Sequence, residues 1–279
     1  MPARAISLEQ QQRLIEIVRD AAKTEIVPRF RNLSEDAIRS KSAPDDLVTD
    51  ADQGAERMMT AAIRELLPEA TVIGEEAVAD GSANLDDIAG AELALIIDPV
   101  DGTWNFARGL NQFGVILAAT SFGETIFGLL YDPLADDWIV ARHGEGAWFG
   151  RPDGTQRRLQ VSSTDNFDEM VGSTSIRLFA KPQQYQLAAT FPDFQRMMAF
   201  GCACHEYRTM AFGFVDFMLT GKLMPWDHAA GLMIHAEAGG YSALLDGTPY
   251  QPTIHQGTVL AASSRARWEQ LREKFSFLG

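Results

Sequence analysis

Apolar positions near the N-terminus recur with a helical period. Leu14, Ile17, Val18 and Ala21 fall at i, i+3, i+4 and i+7, one face of an amphipathic helix, and Ser7 with Gln10 in front of them has the spacing of a capping box. The pattern stops by Pro28, and an irregular charged segment, 29–46, follows. A second helix is predicted to open at Asp50, with Ala55, Met58, Met59, Ala62, Ile63 and Leu66 on one face, and to end before Pro68. Its methionines read as core. Thr71–Gly74 is a short strand that delivers Glu75 and Glu76 to its end. The unbroken apolar run 93–97 reads as a fully buried strand, with Asp98, Pro99, Val100, Asp101, Gly102 and Thr103 presented where it ends.

Beyond this point the period is that of strands. Residues 113–122, 125–131 and 138–141 are separated by turns at Gly123-Glu124, Asp132-Pro133 and Gly144-Glu145-Gly146, which predicts an antiparallel meander. Residues 150–158 read as a loose linker, dividing the chain into an N-terminal α+β half, 1–152, and a C-terminal α/β half, 153–279. In the second half, strands near 170–173, 197–200, 215–219, 241–245 and 258–262 alternate with helices near 183–189, 202–212, from Pro225 and from Arg265. The helix at Pro225 carries Asp227 in its first turn and stops at Gly239-Gly240.

Length and charge narrow what this pattern can serve. A chain of 279 residues can bury a full core, and no apolar run approaches the length of about 18 residues that a membrane span needs. The first residues carry no signal-peptide core, which predicts a cytoplasmic protein. Two cysteines one residue apart, Cys202 and Cys204, suit a reducing compartment. A net charge of −14 argues against a nucleic-acid partner.

The chemistry concentrates where the central strand ends. Two carboxylates as close as Asp98 and Asp101 either share a proton or bind a cation, and the free N–H groups offered by Gly102 and Thr103 suit a phosphate. Turn formation alone is the plainer use of Asp-Pro and Asp-Gly. The Asp-x-Asp-Gly-Thr motif of aspartyl-phosphate enzymes needs its aspartates two apart, whereas here they are three apart. Asp52, Glu75, Asp98, Asp101 and Asp227 all fall at strand ends or helix starts, from which side chains can converge. An oxygen-only set favours a hard cation, Mg²⁺ before Zn²⁺. Cys202-Ala203-Cys204-His205 lacks the second ligand pair of a structural metal site and reads as packing, as do His228 and His235. Trp104 serves either to stack on a substrate or to wall the pocket.

Asp98-Pro99-Val100-Asp101-Gly102-Thr103 with Asn105-Phe106, preceded by Gly74-Glu75-Glu76 and followed by Trp226-Asp227-His228-Ala229-Ala230-Gly231, resembles the inositol monophosphatase family of Mg²⁺-dependent, lithium-sensitive phosphatases. The stretch from Lys41 to Asp52 and Glu237-Ala238-Gly239-Gly240 are similar as well, so the resemblance spans nearly the whole chain. It implies an α+β fold, the layered αβαβα sandwich of the inositol monophosphatase and fructose-1,6-bisphosphatase type, in a homodimer that acts on a small phosphate monoester. It implies two or three Mg²⁺ ions: one held by Glu75, Asp98 and the Val100 carbonyl, a second by Asp98, Asp101 and Asp227, and a weaker third near Glu75. Asp52 with Thr103 would activate the attacking water. Gly102 and Thr103 would hold the phosphate, with Asp101, Asp227, Gly201, Ala203 and Thr220 lining the substrate pocket.

The match departs at Thr220. Members that prefer inositol phosphates carry a glutamate seven residues before the Asp227 position. The implied substrate is therefore a phosphorylated polyol resembling inositol monophosphate, with histidinol phosphate, fructose bisphosphate and 3′-phosphoadenosine phosphate as the alternatives that relatives use. Glu206 or Arg208 could face the pocket or pair with each other on the surface, and the surface pairing is the expected arrangement.

Overall fold

The computed structural model describes residues 4–40 and 47–279. In chain order the elements are α1 (Leu8–Ala21), β1 (Ile38–Ser40), β2 (Leu47–Thr49), α2 (Asp50–Leu66), β3 (Thr71–Gly74), α3 (Glu75–Ala79), α4 (Asp87–Gly90), β4 (Ala94–Asp101), α5 (Thr103–Ala107), β5 (Gly114–Ser121), β6 (Glu124–Asp132), β7 (Asp137–Arg142), β8 (Ala147–Gly150), β9 (Gln156–Arg158), β10 (Val171–Ser173), α6 (Lys181–Thr190), β11 (Arg196–Met198), α7 (Ala203–Ala211), β12 (Phe217–Thr220), α8 (Pro225–Glu237), β13 (Tyr241–Leu244), β14 (Val259–Ala262) and α9 (Arg265–Lys274). The expected capping box of α1 forms: the Ser7 hydroxyl accepts from Gln10 N at 3.1 Å and Ser7 N donates to Gln10 Oε1 at 2.9 Å.

Two sheets organise the chain. The first runs β3-β4-β5-β6-β7-β8-β9, with β3 and β4 parallel and every other pair antiparallel; the second runs β11-β10-β12-β14-β13. Side chains alternate across each sheet and so feed different cores. Leu95, Ile97, Val115 and Leu117 pack with Leu14, Val18, Met59 and Ile63 of α1 and α2. Ile96, Ile116, Ala118 and Leu130 point the other way, into a core shared with Tyr207, Ala230 and Ile234 of α7 and α8 and with Met218, Val259 and Ala261 of the second sheet. The opposite face of that sheet, Phe217, Leu219, Leu260 and Ala262, packs under Leu187, Trp268 and Leu271 of α6 and α9. The result is the five-layer αβαβα sandwich. Lying between two sheets, α8 buries residues on every side, Trp226, His228, Leu232 and His235 among them. Among the described residues no helix is long and apolar enough to cross a membrane.

Two expectations need correction. Residues 150–158 are not a loose linker: they hold the β8–β9 hairpin, with Trp148 opposite Arg158 and Gly150 opposite Gln156, so the first sheet runs through Arg158 and the boundary at 152 falls in that hairpin's turn. The expected surface pairing of Glu206 with Arg208 does not form. Arg208 is only 5% exposed; its guanidinium donates to Leu130 O at 3.2 Å and pairs with Asp137, which is itself 4% exposed. The face of α7 that Arg208 occupies is turned to the first sheet, a placement that follows from the layer packing and not from local periodicity. The Lys41 to Asp46 part of the family-like stretch lies outside the described residues.

A buried ion pair is costly to break from one side, because the remaining charge is left without a partner. Arg208→Met should therefore lower unfolding free energy by about 3 kcal/mol or more, read from urea denaturation followed by circular dichroism. A change under about 1 kcal/mol would mean that Arg151, 3.4 Å from Asp137, suffices to hold that carboxylate.

Candidate active site

Strand β4 runs further than its apolar stretch, through Pro99 to Asp101. Its register against β5 slips: Asp98 faces Ile116 and Asp101 faces Gly114, three steps along one strand against two along the other. In a regular strand, residues three apart point to opposite faces. One extra residue cancels that inversion, so the bulge at Pro99-Val100 turns both carboxylates to the same side. Pro99 is tolerated there because a bulge leaves one residue out of the ladder. The bulge also lets Val100 N donate to Asp98 Oδ1 at 3.1 Å.

Asp227 enters from the first turn of α8. One oxygen from each of Asp98, Asp101 and Asp227 lies within 4.8 Å of the other two. Asp101 is fixed further by the start of α7: its Oδ2 accepts from Cys204 N at 2.5 Å and from the Cys202 thiol at 3.0 Å. Burial is the main force raising the pKa of both Asp98 and Asp101. The charge of Glu75, followed by those of Asp101 and Asp227, adds to it at Asp98, and that of Asp227 adds to it at Asp101. Burial likewise pushes both thiols well up, which keeps Cys202 a donor.

Asp52 is fully buried at the start of α2. Its Oδ2 completes a capping box with Thr49, accepting the backbone N–H at 2.8 Å and the hydroxyl at 2.5 Å. Its Oδ1 faces the Thr103 hydroxyl at 3.1 Å, and that hydroxyl lies 2.9 Å from Val100 O as well. A hydroxyl donates one proton, so Thr103 can serve either acceptor in turn. Burial pushes the Asp52 carboxyl up to about 7, against the opposing pull of the Thr49 hydroxyl. Gly102 precedes Thr103 in the left-handed region, φ +85°, and a Cβ there would stand 2.8 Å from Gln112 O. Only glycine fits both demands.

Of the four expected carboxylate ligands, three form the tight group, and Glu75 stands outside it at the start of α3, close enough for its charge to raise Asp98. The sequence missed the residue that builds this corner. Glu56 of α2 accepts from Glu76 N and Ala77 N, both at 2.8 Å, capping α3 from a neighbouring element, and a Cβ on Gly74 would overlap its carboxylate. Burial brings Glu56 up to about 7. Thr49 and Asn105 were missed as well. Asn105 Nδ2 reaches Gln112 O and Phe200 O at 2.8 Å each, which ties α5 to the loop before α7 and places Gly201 and Ala203 beside the motif. Thr220 is buried at the end of β12 with its hydroxyl turned to Lys222 O at 3.4 Å. Both histidines of α8 are packing groups: His228 contacts Tyr207 Oη and Lys222 O, and His235 contacts Ala262 O. Trp104 is 42% exposed, with the Arg108 guanidinium 4.1 Å from its ring centre.

The donor chemistry suits a hard divalent cation. Two buried carboxylates and the half-buried Asp227, with oxygens within 4.8 Å of one another, repel strongly unless protonated or bridged by positive charge, and all three offer only oxygen.

A model of the inositol monophosphatase family matches residues 2–278. A Thermotoga maritima protein named fructose-1,6-bisphosphatase/inositol-1-monophosphatase is 33% identical over 207 residues, 74% of each chain. The Nus factor SuhB of Escherichia coli is 31% identical over 238 residues, 81% of each. The solved structure of a Thermotoga maritima IMPase superposes with a TM-score of 0.81 at 24% identity, covering 97% of this chain and 98% of that one.

Without divalent cations, Asp52 and Glu56 hold their protons up to about 7 in the folded state, from ordinary values of 3.8 and 4.5. The folded chain thus binds more protons than the unfolded one between about pH 4 and 7, and stability falls as pH rises through that window. Melts in EDTA should show a lower Tm at pH 8 than at pH 5, and Mg²⁺ should raise Tm more at pH 8 than at pH 5. A Tm that stays level or rises from pH 5 to 8 would show that these carboxylates are relieved by some other group.

Proposed function

Because the chain belongs to the inositol monophosphatase family, whose members are phosphoric monoester hydrolases, we propose that it hydrolyses a small phosphorylated polyol by Mg²⁺-dependent attack of water, with no covalent intermediate. The observation that carries this reading is the placing of the Asp98, Asp101 and Asp227 oxygens within 4.8 Å of one another while the Asp52–Thr103 pair, joined at 3.1 Å, adjoins them through Val100. Two or three Mg²⁺ ions are assigned to these residues: one to Glu75, Asp98 and the Val100 carbonyl, a second to Asp98, Asp101 and Asp227, and a weaker third near Glu75. When bound, such ions neutralise the phosphate dianion, favour ionisation of water and stabilise the departing alkoxide.

The chain's own groups supply the remainder. Thr103 Oγ1 accepts the proton that the attacking water gives up and passes its own to Asp52 Oδ1, while Oδ2 stays anchored on Thr49. Asp52 Oδ1, 3.1 Å from the Thr103 hydroxyl, is placed to take the proton. The Gly102 and Thr103 N–H groups, turned outward by the left-handed glycine, hold the phosphate oxygens. Gly201 and Ala203 line the leaving-group side through their backbone. Thr220 offers one hydroxyl there and no carboxylate, which favours a pocket less devoted to inositol than that of the inositol-preferring members. The reading includes a cytoplasmic homodimer, in keeping with two buried, unoxidised cysteines.

Phosphate release from glycerol 2-phosphate and inositol 1-phosphate, with Mg²⁺ and in EDTA, tests the assignment. Activity should vanish in EDTA. Asp98→Asn should lose nearly all of it while the fold persists in circular dichroism. Asp52→Asn or Thr103→Ala should lower kcat by on the order of 10² or more with KM much less affected. Full turnover in EDTA would overturn the metal assignment, and phosphate trapped covalently on Asp98 or Asp101 would overturn direct attack by water.

A further inference from the structure

In the second sheet the order β11-β10-β12 means that the chain leaves β10 toward one edge and returns past it to reach β12. All three of these strands run parallel. Such a reversal opens a crevice at the carboxyl ends of the strands, where side chains have no sheet neighbour above them. The carboxyl ends here present Ser173 and Thr174 after β10, the Phe200-Gly201 loop after β11 and Thr220 at the end of β12. Ser173 and Thr174 are 0% and 4% exposed; the Ser173 hydroxyl has only the Glu206 carboxylate beside it, and the Thr174 hydroxyl makes no hydrogen bond. Buried hydroxyls are nearly always partnered, so the orphan at Thr174, in the crevice, points to a partner that arrives from outside.

Glu206 reaches the same place from the first turn of α7. Its carboxylate takes Phe200 N at 3.2 Å, lies beside the Ser173 hydroxyl, and is near enough to Asp101 to feel its charge. Arg208, the one cationic side chain on this helix, is committed to Asp137. A carboxylate has about four acceptor positions; Phe200 N, Gly201 N and the Ser173 hydroxyl engage this one and leave it room for a further hydrogen-bond donor.

We propose that Glu206, with the Ser173 and Thr174 hydroxyls, forms a leaving-group subsite that selects phosphate esters whose carbon skeleton carries a hydrogen-bond donor, either a hydroxyl or an ammonium. The inference rests on the phosphatase reading and deepens it. It gives the acceptor role that Thr220 lacks to an acid on a different element, so selection comes from α7 and the end of β10.

Steady-state kinetics with Mg²⁺ on three esters provide the test: a polyol phosphate, an amino-alcohol phosphate and phenyl phosphate, whose leaving group carries no further donor. Glu206→Gln keeps the shape and can still accept from Phe200 N. It should lower kcat/KM for a donor-bearing ester about ten- to a hundredfold, mainly through KM, and leave phenyl phosphate within about twofold. Ser173→Ala should show the same selectivity more weakly, which guards against a folding defect peculiar to position 206. A larger loss on the amino-alcohol ester identifies an ammonium as the partner, and a larger loss on the polyol ester a hydroxyl. Equal losses on all three esters, or no loss on any, would overturn the subsite and leave the phosphatase reading standing. A wild-type protein inactive on all three would overturn both.

Discussion

Asp98, Asp101 and Asp227 repel one another across a few ångströms of buried space, and much of the surrounding structure is arranged to hold them there. Left alone, buried like charges would separate or take up protons. The fold opposes separation by fixing each acid to a rigid element. Val100 N holds Asp98, the start of α7 holds Asp101, and the first turn of α8, buried between two sheets, carries Asp227. A cation of matching charge would relieve the repulsion, and the cost of assembling the cluster would then be the source of its affinity for one.

The same logic shapes the acids around the cluster. Asp52 is a helix cap with a second face, one oxygen bound to Thr49 and the other turned to Thr103. Glu56 stays wholly structural. By capping α3 from α2 it fixes the segment that begins with Glu75 and lets that helix start at the edge of the site. Burial raises both carboxyls to about the same level, yet only Asp52 adjoins a hydroxyl that could relay a proton. Geometry, and not the shifted pKa alone, separates the two roles.

Relatives that share this fold carry names as different as fructose-1,6-bisphosphatase/inositol-1-monophosphatase and Nus factor. The αβαβα layers are a common chassis, and differences in function reside in what is placed upon them. In this chain the leaving-group side proposed above comprises the carboxyl ends of β10, β11 and β12 and the first turn of α7. These segments hold short polar side chains and one acid, Glu206, in place of a carboxylate at position 220.

Local pattern determined a great deal. The capping box at Ser7, the apolar run before Asp98, the Pro225 helix start and the Gly239-Gly240 stop are all set by near neighbours, and they appear in the structure close to where the sequence put them. The separated motifs also pointed to the family. What the sequence could not give was anything that depends on contacts between distant segments. The bulge at Pro99-Val100 is visible only against its partner β5, because register is a property of two strands. Glu56 capping α3, Arg208 meeting Asp137, the β8–β9 hairpin in place of a linker and Glu206 turned toward the Phe200 loop each join residues that no local period relates. Hydrophobic periodicity fixes which face of an element is buried. Which polar groups then meet across the buried faces is decided by layer packing, where an unpartnered charge costs more than any local preference supplies.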